Sequence, residues 1–133
     1  MTSERSTSPG EVGSLDGAFR LLADETRRHL LYLLREHGRF RVDDLTDVLT
    51  GWLALQRDDG RATPTDHTRV QLELYHVHVP MLVDAGLLEY DESGDSLTIR
   101  SLPVAVDRLL DEALGLEPQT TAAAVAAADP GSG

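Results

Sequence analysis

Apolar residues at i, i+3, i+4 and i+7 predict most of the elements of this chain. Leu15, Ala18, Phe19 and Leu22 mark a short amphipathic helix ending near Ala23. Asp24 is placed as the N-cap of a second helix, with Glu25 in its positive first turn, Leu30, Leu31, Leu33 and Leu34 facing inward, and Gly38 as the stop. Phe40 to Val42 leaves room for one extended stretch. Asp43 then caps a helix whose Leu45, Val48, Leu49, Trp52 and Leu53 form the cleanest stripe of the sequence, with Trp52 expected in the core. A polar loop, Gln56 to Thr65, leads to Asp66 and a long helical segment. There Val70, Leu74, Val77 and Met81 make one stripe, broadened by Leu72, Tyr75, Val79 and Leu82. Pro80 lies inside this pattern and predicts a kink or a break into two helices, since its ring clashes with the His76 carbonyl and removes that carbonyl's donor.

After Gly86, a left-handed stop, the period changes from 3.6 to 2. Leu87 to Asp91 and Ser96 to Arg100 read as two strands joined by Glu92-Ser93-Gly94-Asp95, a hairpin turn containing glycine. Pro103 suits a first helical turn, and Leu102, Val106, Leu109, Leu110, Ala113 and Leu114 predict a last helix ending at Gly115. The fold class expected is mainly α with a small β-hairpin. One domain, residues 14–115, is flanked by a Ser/Thr/Gly/Pro-rich tail at 1–13 and an Ala-rich tail at 116–133, both expected to be disordered.

Composition changes the reading of the surface. Of 133 residues, 23 are acidic against 12 basic, a net charge of -11, and every basic residue is Arg. An acidic surface argues against nucleic acid, because phosphate neutralisation supplies most non-specific affinity. Acidic, Lys-free surfaces also suit a very salty cytoplasm, where screening over about 3 Å at 1 M salt weakens attraction and repulsion alike. The absence of Cys removes disulfides, thiolate metal sites and thiol nucleophiles, and 5% aromatic content argues against a base-stacking RNA platform. Without a long apolar run or a signal-peptide pattern, the expectation is a soluble cytoplasmic protein.

With the stretch from Asp24 read as running on from the first in one bent helix, the order is helix, helix, helix, hairpin, helix, that of a winged helix-turn-helix. The residues add to it. L-A-D-E-T-R-R-H-L-L-Y-L-L (Leu22 to Leu34) resembles the first-helix signature of arsenic-repressor-like (ArsR-type) winged-helix regulators, and H-V-P-M-L-V-D-A-G-L-L-E-Y-D (His78 to Asp91) resembles their passage from recognition helix into wing. Together with Tyr75-His76, these stretches are similar to a largely uncharacterised haloarchaeal winged-helix family, over about Leu15 to Leu114. The resemblance implies a winged-helix fold and a regulatory role, and supports the salt reading of the charge.

On that reading the DNA contacts fall to Thr68, Arg69, Gln71 and His76 on the third helix, with Arg57 and Arg61 available for phosphate. Glu73 suits cytosine N4 but repels phosphate, and the wing tip is acidic where related regulators carry Arg. The alternative is a winged helix that pairs with protein and never touches DNA. Leu15, Phe19, Val106, Leu109, Leu110 and Leu114 are the candidate homodimer face, and a small-molecule effector is not specified. Tyr75, His76, His78, Pro80 and Gly86 read as a structural motif, one histidine packing beside Tyr75 and Pro80 and bonding a freed carbonyl. Two histidines at i, i+2 project about 200° apart, and the last helix offers Asp107, Asp111 and Glu112 but no His, so no metal site and no cofactor is expected. Arg27 and Arg28 read as solvated or locally paired charges. No nucleophile elbow, phosphate loop or ligand cluster marks an enzyme.

Overall fold

A computed structural model describes residues 14–55 and 60–130. The expected tail at 1–13 and Arg57 lie outside them. Helices α1 (Leu15–Leu22) and α2 (Glu25–His37) are followed by strand β1 (Arg39–Arg41) and α3 (Val42–Ala54). Next come α4 (Pro64–Glu73), a π turn (Leu74–His78) and α5 (Val79–Asp84). Strands β2 (Leu88–Asp91) and β3 (Ser96–Ile99), then helices α6 (Val104–Leu116) and α7 (Gln119–Ala127), complete the chain. The protein is mainly helical with one small antiparallel sheet.

Local chemistry sets the helix boundaries. Ser14 and Asp24 accept from the Gly17 and Arg27 amides, capping α1 and α2. Gly38 (φ 80°) and Gly86 (φ 81°) take the left-handed conformation that ends α2 and follows α5. Two expected caps move. Asp43 lies in the first turn of α3, one residue inside it, and Thr63 caps α4 through a reciprocal capping box with Asp66. Gly115 lies within α6.

The sheet has the order β1-β3-β2, so the first strand pairs with the last rather than with its sequence neighbour. Phe40 stands opposite Leu97, and Leu97 opposite Tyr90. Phe40 and Leu97 are fully buried and join Leu30, Leu33, Leu45, Leu74, Leu82 and Leu110 in one core. The Val42 amide donates to the Asp95 carbonyl at 2.9 Å, fastening the start of α3 to the hairpin turn.

Pro80 causes no break. The Val79 amide donates to the Leu74 carbonyl, five residues back, so an extra residue is accommodated just ahead of the proline. This changes which side chains face inward. His78 is buried and Val77 is 46% exposed, whereas the uninterrupted helical period placed Val77 in the stripe. Leu72, also expected inward, is exposed. On α3 the buried face takes in Thr46 and Thr50, whose hydroxyls donate to the carbonyls one turn back.

The C-terminal segment departs furthest from expectation. Residues 119–127 form a helix whose Thr121 and Val125 are buried, Val125 within the core. His37 Nε2 donates to the Val125 carbonyl at 2.8 Å. Ahead of α7, Glu117 accepts from Arg28 Nε at 3.0 Å and from the Tyr32 hydroxyl at 2.9 Å. An isolated nine-residue Ala-rich helix is marginal in water; these contacts hold it.

Candidate nucleic-acid interface

Helices α3 and α4 pack against each other and are linked by His67 Nε2 and Asp47 Oδ1 at 2.9 Å. Val70 and Leu74 anchor α4 in the core, leaving its opposite face to solvent. On that face Thr65, Thr68, Arg69, Leu72 and Glu73 line a shallow groove. Of the sequence candidates, the structure therefore brings Thr68 and Arg69 together. His76 is exposed further along, in the π turn, and Gln71 is only partly exposed. Arg61 is exposed in the loop before α4.

Arg69 is held at the start of the helix. Its Nη2 lies 3.0 Å from Asp66 Oδ1, and Asp66 also accepts from the Thr63 amide and hydroxyl. The nearly buried capping carboxylate thus positions an exposed guanidinium. Leu72, which periodicity assigned to the core, supplies an apolar surface beside it.

The acidic hairpin turn is largely engaged within the protein. Asp95 has φ 47°, so the left-handed position falls on it and not on Gly94. Its two carboxylate oxygens accept from Tyr75 at 2.6 Å and Tyr90 at 2.7 Å. Burial first, then the Asp95 hydrogen bond, raises the Tyr75 phenol above its usual range. Tyr90 is pushed up to about 12, chiefly by its bond to Asp95. Asp91 accepts from the Ser93 amide and hydroxyl, which holds its carboxyl below the usual range, and Glu89 pairs with Arg100.

His78 is buried on the inner side of the π turn. Arg27 Nη1 lies 3.5 Å from its Nδ1, and since a guanidinium only donates, Nδ1 is the acceptor. The expected partner was a carbonyl freed by Pro80; the structure supplies Arg27. Burial holds the imidazole pKa below its ordinary value, against the raising influence of Asp24. Arg27 Nε also donates to the Leu21 carbonyl at 2.8 Å, and Arg28 Nη1 to the Leu22 carbonyl at 2.9 Å. The two arginines thus satisfy the C-terminal carbonyls of α1, a role beyond a solvated pair.

The candidate homodimer face divides. Val106 and Leu110 are fully buried within the chain and unavailable to a second copy. Leu109 and Leu114 are partly buried. Leu15 and Phe19 are more than half exposed. Phe19, Leu22, Leu109, Ala113 and Leu116 line a groove of about 570 Å³ between α1 and α6.

Beside this groove, which Glu117 also lines, the side chains of Glu25, His29 and Glu117 converge, with one potential ligand atom from each within 4.8 Å of the others. The i, i+4 spacing of Glu25 and His29 was the trio's sequence signal; Glu117 carried none, because it fell in the segment expected to be disordered. No helix among the described residues is long and apolar enough to cross a membrane.

No curated protein and no solved structure is significantly similar to the chain. Residues 19–98, from the second half of α1 through most of β3, match a family described as a domain of unknown function, DUF7344. With more than half of its 133 residues covered by that match, the chain belongs to the DUF7344 family.

Proposed function

We propose that this protein is a winged-helix DNA-binding regulator, related to the ArsR-type and haloarchaeal regulators its motifs resemble, and acting in a salty cytoplasm. The observation that carries this reading is the strand order β1-β3-β2, with β1 between α2 and α3 and the β2-β3 hairpin directly after the α4-α5 segment. In a winged helix the small strand between the first two core helices, α2 and α3 here, pairs with the second strand of the wing, and the third core helix stands free to enter a groove. Here α4 is that third helix and residues 92–95 are the wing tip.

Thr68 and Arg69 sit in the second turn of α4, within the part of a recognition helix that reaches base edges. Arg69 suits a guanine edge, Leu72 a thymine methyl and Glu73 cytosine N4. The ion pairs of Glu89 with Arg100 and of Asp91 with Arg39 offset part of the wing's negative charge. A second copy docks through Phe19, Leu15 and Leu116 around the α1–α6 groove and sets two α4 helices on symmetric half-sites.

The test is a gel shift of the full chain against its own upstream DNA in concentrated KCl, with Arg69→Ala and Leu72→Ala as variants. A discrete complex weakened about tenfold or more by either substitution is expected, in line with about 1–3 kcal/mol per base contact. Absent binding, or binding indifferent to both, overturns this reading in favour of a protein-interaction module.

A further inference from the structure

His29 is only 6% exposed, and its Nε2 has no hydrogen-bond partner among the described residues. Buried polar atoms are nearly always paired, so an orphaned imidazole nitrogen calls for a ligand. The ring has little freedom to seek one elsewhere: its centroid lies 4.4 Å from Trp52 of α3 and 5.6 Å from Tyr32. A ring nitrogen of His29 and carboxylate oxygens of Glu25 and Glu117 lie within 4.8 Å of one another. Glu25, His29, Trp52, Leu55, Glu117 and Thr121 line a cleft of about 290 Å³ at this point.

We propose that Glu25, His29 and Glu117 bind a first-row divalent cation of the zinc or cobalt type. Glu25 and His29 are one turn apart on α2, the spacing at which two side chains of a helix reach one ion. Glu25 and Glu117, the latter shared with the Arg28 guanidinium, supply carboxylate oxygens for a divalent cation in a half-buried cleft, and the imidazole favours a transition metal over magnesium or calcium, which take all-oxygen sets. Three protein ligands complete a tetrahedron with one water. Donors about 2.0–2.1 Å from a tetrahedral ion stand about 3.3 Å apart, so a bound ion draws Glu25 and His29 toward the anchored Glu117 from their separation of up to 4.8 Å.

Arg28 and Tyr32 both donate to Glu117 Oε2. They fix that carboxylate from behind, as outer partners of metal ligands do. The ion would join the first half of α2 to the segment entering α7. Its effect on the protein is therefore to fasten the C-terminal helix, whatever surface the rest of the domain engages.

The experiment is a titration of the full chain with Co²⁺, followed by visible absorption, in KCl with excess Mg²⁺ to occupy surface carboxylates. Zn²⁺ competition and amide exchange across Gln119–Ala127 are read alongside. One Co²⁺ per chain, displaced by Zn²⁺, and slower exchange in α7 with Zn²⁺ are expected. His29→Gln and Glu25→Gln should each weaken binding at least about tenfold and abolish the effect on exchange. His76→Gln, at an exposed histidine away from the cleft, should change neither. Should His29→Gln fail to fold, Glu25→Gln, altered at a partly exposed first-turn position, decides alone. Absent Co²⁺ absorption, or binding that survives substitution in a folded variant, overturns the proposal.

Discussion

The Tyr75 hydroxyl donates to Asp95 Oδ2 at 2.6 Å, joining the π turn to the tip of the hairpin across 20 residues of sequence. With Tyr90 on the other carboxylate oxygen, it holds the one non-glycine residue at positive φ among the described residues. The bond ties the position of the hairpin to that of the helix carrying Arg69.

Tyr75→Phe should therefore cost about 1 kcal/mol, less than a fully buried hydrogen bond to a charge, because water reaches both partners. Asp95→Asn should return Tyr90 from about 12 toward the ordinary value of about 10. Ultraviolet titration of the phenolate reads this directly. A raised tyrosine pKa contributes stability that is whole below pH ~10 and lost as pH rises to the folded value. The alkaline loss of stability in wild type should thus be smaller in Asp95→Asn.

His78 makes the opposite demand on the acid side. Buried, with Asp24, Arg27 and Glu73 around it, it has a pKa below its ordinary value of 6.5. The unfolded chain then binds the proton more readily, so this contribution is whole above pH 6.5 and falls as pH drops toward the folded pKa. Urea unfolding of His78→Asn should show a shallower loss of stability below pH 6.5 than wild type. An unchanged slope would exclude His78 as its source.

Leu110 and Phe19 separate folding from self-association. Leu110 is fully buried and Phe19 is 53% exposed. Leu110→Asp places an unpaired charge in the core and should unfold the chain. On the pairing proposed above, light scattering at micromolar concentration in KCl should give a dimer mass for wild type and a monomer mass for Phe19→Asp, which should retain native circular dichroism. A folded Phe19→Asp that remains dimeric excludes pairing through the α1–α6 groove.

Val125→Asp should release α7. Losing the burial of one valine costs about 2 kcal/mol, and the detached helix has little stability of its own. Limited proteolysis should then cut within Gln119–Ala127 while α2 and α3 stay protected.

The helices from α1 to α4, the hairpin and the α6 stripe were legible because each is written in local periodicity, capping residues and turn chemistry. Asp24, Gly38 and Gly86 act as their types and positions predict. The same local signals could not say how one stripe is shared. Val106 and Leu110 belong to a stripe that serves equally for a core or a dimer, and packing against the rest of the chain assigned them to the core. The π turn exchanged Val77 for His78 because donor shifts ahead of Pro80 depend on what the next turn packs against. The Glu25, His29 and Glu117 cluster and the helical state of 119–127 rest on contacts about 90 residues apart in sequence. Periodicity records which side of an element is apolar. Which distant side chain meets that side, and so which charge is buried, paired or left with an open nitrogen, is a property of the folded chain alone.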